Sequence, residues 1–408
     1  MSVPFQCRSC SSNENSLLLD LGVQPLAGNF LRPEDLHNDQ RFPLRLALCR
    51  ACWLMQIVEL VPPVQLFSEY LYFSSFSETM LRHAREAAER YISEFALSPR
   101  SQVIEIASND GYMLQNFVRH GIPCLGIEPA ANVAKVAREK SIETIIDFFG
   151  SALGQKLADG CRQADLVLAN NVFAHAPETN DFVAGIAALL KPDGRAVLEF
   201  PYGVDLIEHV EFDTIFHEHV FYFTLIALRP LFERHGLEIY RVERHPLHGG
   251  SLRLFSANAG AYPVEPSVSE LLLFEQRRGL GSLQYYKHFA QQALDVKHSL
   301  FALVTDLCGK GHRVAAYGAS AKGSTLLNFV GLNRSHIEFV ADRNIHKQGR
   351  LTPGTHIPIV SAEQLAVRQP DFTLLLTWNF ATEILAQQQA YRERGGKFII
   401  PIPKVSIV

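Results

Sequence analysis

Two stretches of this chain alternate short apolar strands with helices across small-residue turns, and two Cys-x-x-Cys pairs precede them. These observations predict an α/β protein in three parts. The parts are a small metal-bound N-terminal module (1–73), a central doubly wound sheet domain (74–262) and a second, Rossmann-like sheet domain (263–408). A chain of 408 residues, 47% hydrophobic and 20% charged, is long enough for such a division.

The N-terminal pairs are Cys7-Arg-Ser-Cys10 and Cys49-Arg-Ala-Cys52. Each spacing lets a tight turn aim two thiolates at one tetrahedral ion, so Cys7, Cys10, Cys49 and Cys52 are expected to hold structural zinc. Residues 11–48 between them exceed the 15–20 or so of compact ribbons, which implies an excursion between the knuckles. Four thiolates close the coordination shell, so the ion should hold the fold and leave chemistry to other groups. Gly22, Pro25, Gly28, Pro33 and Pro43 interrupt the module too often for long helices. Cys124, Cys161 and Cys308 are scattered and read as packing residues.

Next, Ser77 or Thr79 caps a helix to about Phe95, with Met80, Ala84, Ala87, Ala88, Tyr91, Ile92 and Phe95 forming one apolar stripe. Strands are expected at Val103–Ala107, Cys124–Glu128, Thr144–Ile146, Asp165–Ala169 and Gly194–Phe200, with helices between them, giving a parallel sheet. Leu237–Arg241 and Ser251–Ala257 extend it. After long helices between about Ser267 and Leu307, strands at Arg313–Tyr317, Ile337–Ala341, Asp371–Trp378 and Lys397–Ile400 repeat the pattern.

The first turn, Glu105-Ile-Ala107-Ser108-Asn109-Asp-Gly111, lets a ligand approach the backbone, and Glu128 ends the next strand where a ribose could be gripped. The Gly-x-Gly-x-x-Gly of dinucleotide folds is absent. An acidic start suits the cationic ligand S-adenosylmethionine, with Asp147 for the adenine amino group and Phe148-Phe149 as an apolar wall. The second turn, Tyr317-Gly-Ala-Ser320-Ala-Lys322-Gly-Ser324, opens a helix. Its amides and Lys322 suit a pyrophosphate, and Asp342 ends the following strand within reach of a ribose.

Net charge is −4 with no basic tract, which argues against a nucleic-acid partner. No apolar run approaches the roughly 20 residues of a membrane span, and the N-terminus has no signal-peptide pattern, so a cytoplasmic protein is expected.

The stretch Asp213-Thr-Ile-Phe216-His217-Glu218-His219-Val220-Phe-Tyr-Phe223 concentrates proton-handling groups among aromatics. An extended run would put both histidines on one face, and a helix would spread them by roughly 100° each.

With Glu-Ile-Ala-Ser-Asn-Asp-Gly, His-Glu-His, His248-Gly249-Gly-Ser251-Leu-Arg253 and Tyr-Gly-Ala-Ser-Ala-Lys-Gly in this order behind the cysteine module, the whole chain resembles nucleotide-sugar C-methyltransferases of deoxysugar pathways, the tetronitrose type. The resemblance implies an S-adenosylmethionine-dependent methyltransferase as the central domain, and methyl transfer to carbon 3 of a nucleoside-diphosphate-linked 4-keto-6-deoxy sugar. It implies His219 as the base and Glu218 as its neighbouring carboxylate, with His175 and Tyr70 lining the sugar site. Pro129, Asn170 and Asn171 would join the cofactor set. Tyr72, Tyr202, Phe216, His248, Gly249, Ser251, Arg253, Ser320, Lys322, Asp342, Trp378 and Asn379 would meet the sugar nucleotide. The family often has Tyr where Phe216 stands, so the missing hydroxyl argues against a catalytic duty there or signals a different sugar substituent; His217 is read as structural. The alternatives are an NAD-dependent sugar-nucleotide oxidoreductase using the second turn, a zinc-ribbon methyltransferase acting on RNA or protein, and a non-catalytic binding protein. The nucleotide base, the sugar's configuration and the oligomeric state are left open, and a monomer is compatible.

Overall fold

The computed structural model describes residues 5–67, 73–246 and 249–408. Three sheets organise it. The first contains β1 (Asn15–Pro25), β2 (Arg41–Cys49) and β3 (Met55–Ile57), all antiparallel, and gains a fourth strand, β9 (Phe221–Tyr222), from the central domain. Met55 pairs with Tyr222 and Gln56 with Phe221, while the Ile57 amide donates to the Val220 carbonyl at 2.9 Å. The excursion between the cysteine pairs is thus mostly a β-hairpin.

The central sheet has seven strands: β4 (Val103–Ile106), β5 (Cys124–Ile127), β6 (Glu143–Ile145), β7 (Ala164–Asn170), β8 (Leu190–Pro201), β10 (Leu237–His245) and β11 (Ser251–Asn258). Their order is β10-β11-β8-β7-β4-β5-β6. The expected strands form, but the sheet is mixed: β11 runs antiparallel to both β8 and β10. The short connection between β10 and β11 leaves no room for the crossover a parallel pair needs. Helix Glu78–Glu94 begins where its cap was expected, with Ser77 accepting from the Met80 amide.

Helices on the two faces serve different neighbours. Met80, Ala84, Tyr91, Phe117 and Ala137 build a core on one face. On the other, Leu157, Phe182, Ile186 and Leu228 share one continuous core with Leu46 and Ile57 of the first sheet and Leu326 of the C-terminal domain.

The third sheet holds β12 (Val314–Tyr317), β13 (Val340–Asp342), β14 (Ile359–Ser361), β15 (Phe372–Leu375), β16 (Lys397–Ile400) and β17 (Ser406–Ile407), ordered β14-β13-β12-β15-β16-β17. The order reverses at β4 in the central sheet and at β12 here. Such switch points open a crevice at the carboxyl ends of the strands, where ligands of open α/β sheets bind. Among the described residues no helix is long and apolar enough to cross a membrane.

Candidate active site and metal centre

The four N-terminal sulfurs converge, all lying within 4.8 Å of one another. Cys7 and Cys52 sulfurs are 3.6 Å apart and those of Cys10 and Cys49 3.5 Å. Zn–S bonds of about 2.3 Å require tetrahedral edges of roughly 3.8 Å, so this donor set fits zinc. The two knuckles have the same geometry. Ser11 N donates to Cys7 O and Trp53 N to Cys49 O, and both donors have left-handed φ near 60°.

At the first switch point, Glu105 ends β4 with only 1% of its surface exposed. Asn170 Nδ2 is 3.5 Å from Glu105 Oε1, while Oε2 is buried with no hydrogen-bond partner among the described residues. Burial pushes this carboxyl well above the usual range, with a smaller opposing pull from Asn170. A buried, under-satisfied acid behind a ligand-binding turn fits a cationic ligand such as S-adenosylmethionine. The turn itself is tight: Ala107, Asn109 and Gly111 all have positive φ. Glu128 accepts from Asn109 N at 2.9 Å and Ala130 N at 2.8 Å, clamping turn and strand end together, with Pro129 between. Asp147 and Phe148 are exposed at the end of β6, whereas Phe149 packs edge-on against Phe182. A Cβ on Gly126 would sit 2.4 Å from Ser108 Oγ. Gly126→Ala is therefore expected to displace Ser108 and weaken S-adenosylmethionine binding about tenfold, roughly 1.4 kcal/mol, by calorimetry.

Past β7, Asn171 adopts φ 53° and a short 3-10 turn, Phe173–His175, presents His175 to His219. Their ring centroids are 4.9 Å apart in an edge-to-face arrangement. Val220 N donates to Ala174 O at 2.8 Å and joins the two segments. His219 Nδ1 lies 3.0 Å from the Thr214 carbonyl. A carbonyl only accepts, so this contact assigns the proton to Nδ1 and the lone pair to Nε2. Phe216 tilts against the His219 ring at 4.1 Å. Burial lowers His175 to about 4 and raises Glu218 to about 7. Glu218 Oε1 is 3.1 Å from the place of an absent Cβ on Gly28, so the N-terminal module closes on this carboxylate.

The shared histidine face of an extended run does not occur. The chain turns instead, with His219 N on Phe216 O, and His217 points away. His217 Nε2 is 3.2 Å from Pro43 O of β2 and its ring meets Phe42 edge-on, a structural task.

Several residues expected at the sugar are engaged elsewhere. Tyr202 is 1% exposed and donates its hydroxyl to Glu275 at 2.7 Å; the same carboxylate accepts from Leu225 N and Ile226 N and so caps a helix. Arg253 is 4% exposed and forks onto Glu199, which also meets His83 Nε2 at 2.8 Å. Burial pushes Glu199 upward, but the His83 hydrogen bond and the Arg253 charge outweigh it and hold the group at about 2. Ser251 is fully buried at the start of β11. Gly249 has φ +98°, and a Cβ there would fall 2.5 Å from Glu211 Oε1, so this glycine permits a close approach to a carboxylate. Asp342 accepts from Ala319 N and Asn344 N and so braces the second turn. Tyr70, Tyr72 and His248 lie outside the described residues.

The second turn keeps its anion-binding form. Ser320 Oγ caps helix Ala321–Val330 by accepting from Gly323 N, and the other first-turn amides have no carbonyl within their helix to bond. Lys322, however, lies with Nζ 4.4 Å from the centre of the Trp378 ring, and Trp378 Nε1 donates to Asp213 at 2.7 Å. Asn379 follows in the same half-buried 3-10 turn. Lys347, not expected from sequence, and Asp213, which opens the stretch around His-Glu-His, complete the surroundings. Lys347 Nζ donates to Ala319 O at 2.7 Å and lies over Phe30, and Asp213 is fully buried beside the histidine segment. No local motif marks Lys347; only the folded loop brings it to the turn.

Residues 7–67 match a zinc binding domain model, 80–242 a methyltransferase domain, and 246–403 the C-methyltransferase C-terminal domain. Over 405 residues the chain is 38% identical to C-methyltransferase NovU of Streptomyces niveus, covering 99% of this chain and 96% of that protein. A 124-residue likeness at 32% identity joins it to a ubiquinone biosynthesis O-methyltransferase of Rhodopseudomonas palustris strain BisA53, over 28% of this chain and 47% of that one. The magnesium protoporphyrin IX methyltransferase of Synechocystis PCC 6803 with bound SAH is 14% identical, covering 44% of this chain and 83% of its own, with a TM-score of 0.36.

Proposed function

We propose, from the premise that this chain belongs to the C-methyltransferase family, that its acceptor is carbon 3 of a nucleoside-diphosphate-linked 4-keto-6-deoxy sugar. The chain is an S-adenosylmethionine-dependent C-methyltransferase with a structural zinc module. What supports the finer reading is His219, oriented by the Thr214 carbonyl and set beside His175, which follows β7, the strand paired with the β4 strand that leads into the cofactor turn.

Glu105, Glu128, Asp147 and Asn170 would hold S-adenosylmethionine, which supplies an electron-poor methyl group when bound. In this reading His219 Nε2 takes the proton from carbon 3, which the adjacent ketone acidifies. The electron pair left behind becomes an enolate, whose carbon 3 would take the methyl group as the methyl–sulfur bond breaks and its electron pair stays on sulfur, leaving S-adenosylhomocysteine. His175, neutral at working pH because burial holds it near 4, offers a hydrogen bond to the enolate oxygen. The first-turn amides of helix Ala321–Val330, with the Lys322 and Lys347 ammonium groups beside them, would take the diphosphate. The three sheets follow the proposed division at residues 73/74 and 262/263 except at β9, which the central domain lends to the first sheet. Seven unpaired cysteines suit a reducing cytoplasm.

The reading is tested by incubating the protein with S-adenosylmethionine and a panel of dTDP- and GDP-linked keto sugars. Methyl incorporation at carbon 3 is expected; transfer to oxygen or nitrogen alone would reject it. Glu218 provides a pH-dependent check. Its folded-state pKa of about 7 exceeds the roughly 4.3 of an exposed Glu, so the folded protein loses stability as pH rises between those values. Glu218→Gln is expected to match the parent in thermal melts near pH 4 and to melt higher above pH 7. Parallel curves across that range would contradict the buried-acid assignment.

A further inference from the structure

The segment that carries His219 is gripped by the C-terminal domain at one buried carboxylate. Phe212–Thr214 forms a 3-10 turn in which Thr214 N and Thr214 Oγ1 both reach Glu211 O. At its centre Asp213 has 0% exposure. Oδ2 accepts from Trp378 Nε1 at 2.7 Å, and Oδ1 is buried with no hydrogen-bond partner among the described residues. Lys322 completes the cluster from above the Trp378 ring, and its positive charge partly offsets what burial imposes on Asp213 and Glu211. Phe212 also packs edge-on against Phe329, on the helix that begins at the anion-binding turn. The next residue after Asp213 supplies the carbonyl that holds His219 Nδ1, and Tyr222 points its hydroxyl at the same oxygen from 3.5 Å.

We infer that Asp213 is a positioning residue through which Trp378 and Lys322 of the C-terminal domain aim the Thr214 carbonyl and so set the tautomer of His219. A buried carboxylate with one satisfied oxygen and an aromatic-bound ammonium beside it holds its backbone only while both partners stay in place. Lys322 therefore acts as a counter-ion to the histidine segment, and it stands at the start of the helix proposed to take the diphosphate. Substrate engagement at that turn and orientation of the base share one side chain.

The inference rests on His219 as the base, and its test separates the two claims. Full-length protein labelled with nitrogen-15 at histidine reports the tautomer without any substrate, the His219 signal being assigned by its loss in His219→Asn. The parent should show the Nδ1–H form. Asp213→Asn keeps an acceptor for Trp378 but removes the charge, and Trp378→Phe keeps the ring but removes the donor. Each is expected to give a mixture of tautomers and to lower kcat on a dTDP-linked 4-keto-6-deoxy sugar at least tenfold. The Kd for S-adenosylmethionine should stay within twofold. A retained Nδ1–H form in both single variants overturns the inference, even if they melt at a lower temperature. A tautomer shift alongside near-normal turnover in His219→Asn would keep the coupling and reject the base.

Discussion

Replacing His219 with Asn is expected to lower kcat for carbon methylation about 10²- to 10⁴-fold, the usual contribution of a positioned general base. The substitution suits the geometry, because an Asn amide can still donate to the Thr214 carbonyl now held by Nδ1 at 3.0 Å. The segment stays in place and only the proton acceptor is lost. S-adenosylmethionine should bind with unchanged affinity by calorimetry, since Glu105 and Glu128 lie on other strands. Turnover within a fewfold of the parent would remove His219 from the reaction. The same experiment on His175 should cost less, because that ring is assigned to hydrogen bonding.

Stripping the metal is expected to abolish turnover and to lower stability. Structural zinc contributes about 10–16 kcal/mol to folding in small peptides, comparable to the roughly 5–15 kcal/mol that holds a whole domain together. Here the consequence reaches the reacting groups. β3 starts three residues after Cys52 and pairs with Phe221–Tyr222, which follow His219 almost directly. Cys52→Ser, or treatment with a strong chelator, should therefore lower the melting temperature and eliminate methyl transfer. S-adenosylmethionine binding should persist, because the cofactor turn belongs to a different sheet. Full turnover in metal-free protein, with zinc content checked by atomic absorption, would break the link between knuckle and base.

What could be read from the residues alone was what depends on short spacing. The cysteine pairs converge, Ser77 caps its helix, and the acidic turn at Glu105 sits at a strand end. Short apolar runs between turns and helices located all the central strands, because strands buried on both faces are nearly continuously hydrophobic. The failures share a cause in long-range geometry. The antiparallel direction of β11 is an exception, already implied by its short connection to β10. Histidine orientation in His217-Glu-His219 was set by a turn and by Pro43, far away in the chain. Tyr202 and Arg253 looked available for a sugar because nothing nearby announces Glu275 or Glu199 as their partners. Lys347 reaches the second turn through a loop of its own domain, and Asp213 meets Trp378 across two domains. Polar residues whose partners lie far off in the chain carry little local signature, and active sites are assembled from such residues.

The four-stranded N-terminal sheet imposes a timetable on biosynthesis. Its third strand ends at Ile57, but the strand that pairs with it begins at Phe221. At about 5–20 residues per second, a ribosome leaves that edge waiting on the order of ten to thirty seconds. During the wait Met55–Ile57 is a bare hydrogen-bonding rim that another nascent chain could join. Early capture of zinc by the cysteines would keep the half-built hairpin compact until its late partner emerges. Cells starved of zinc should then accumulate this protein as aggregates formed during translation, while molecules completed earlier stay in solution.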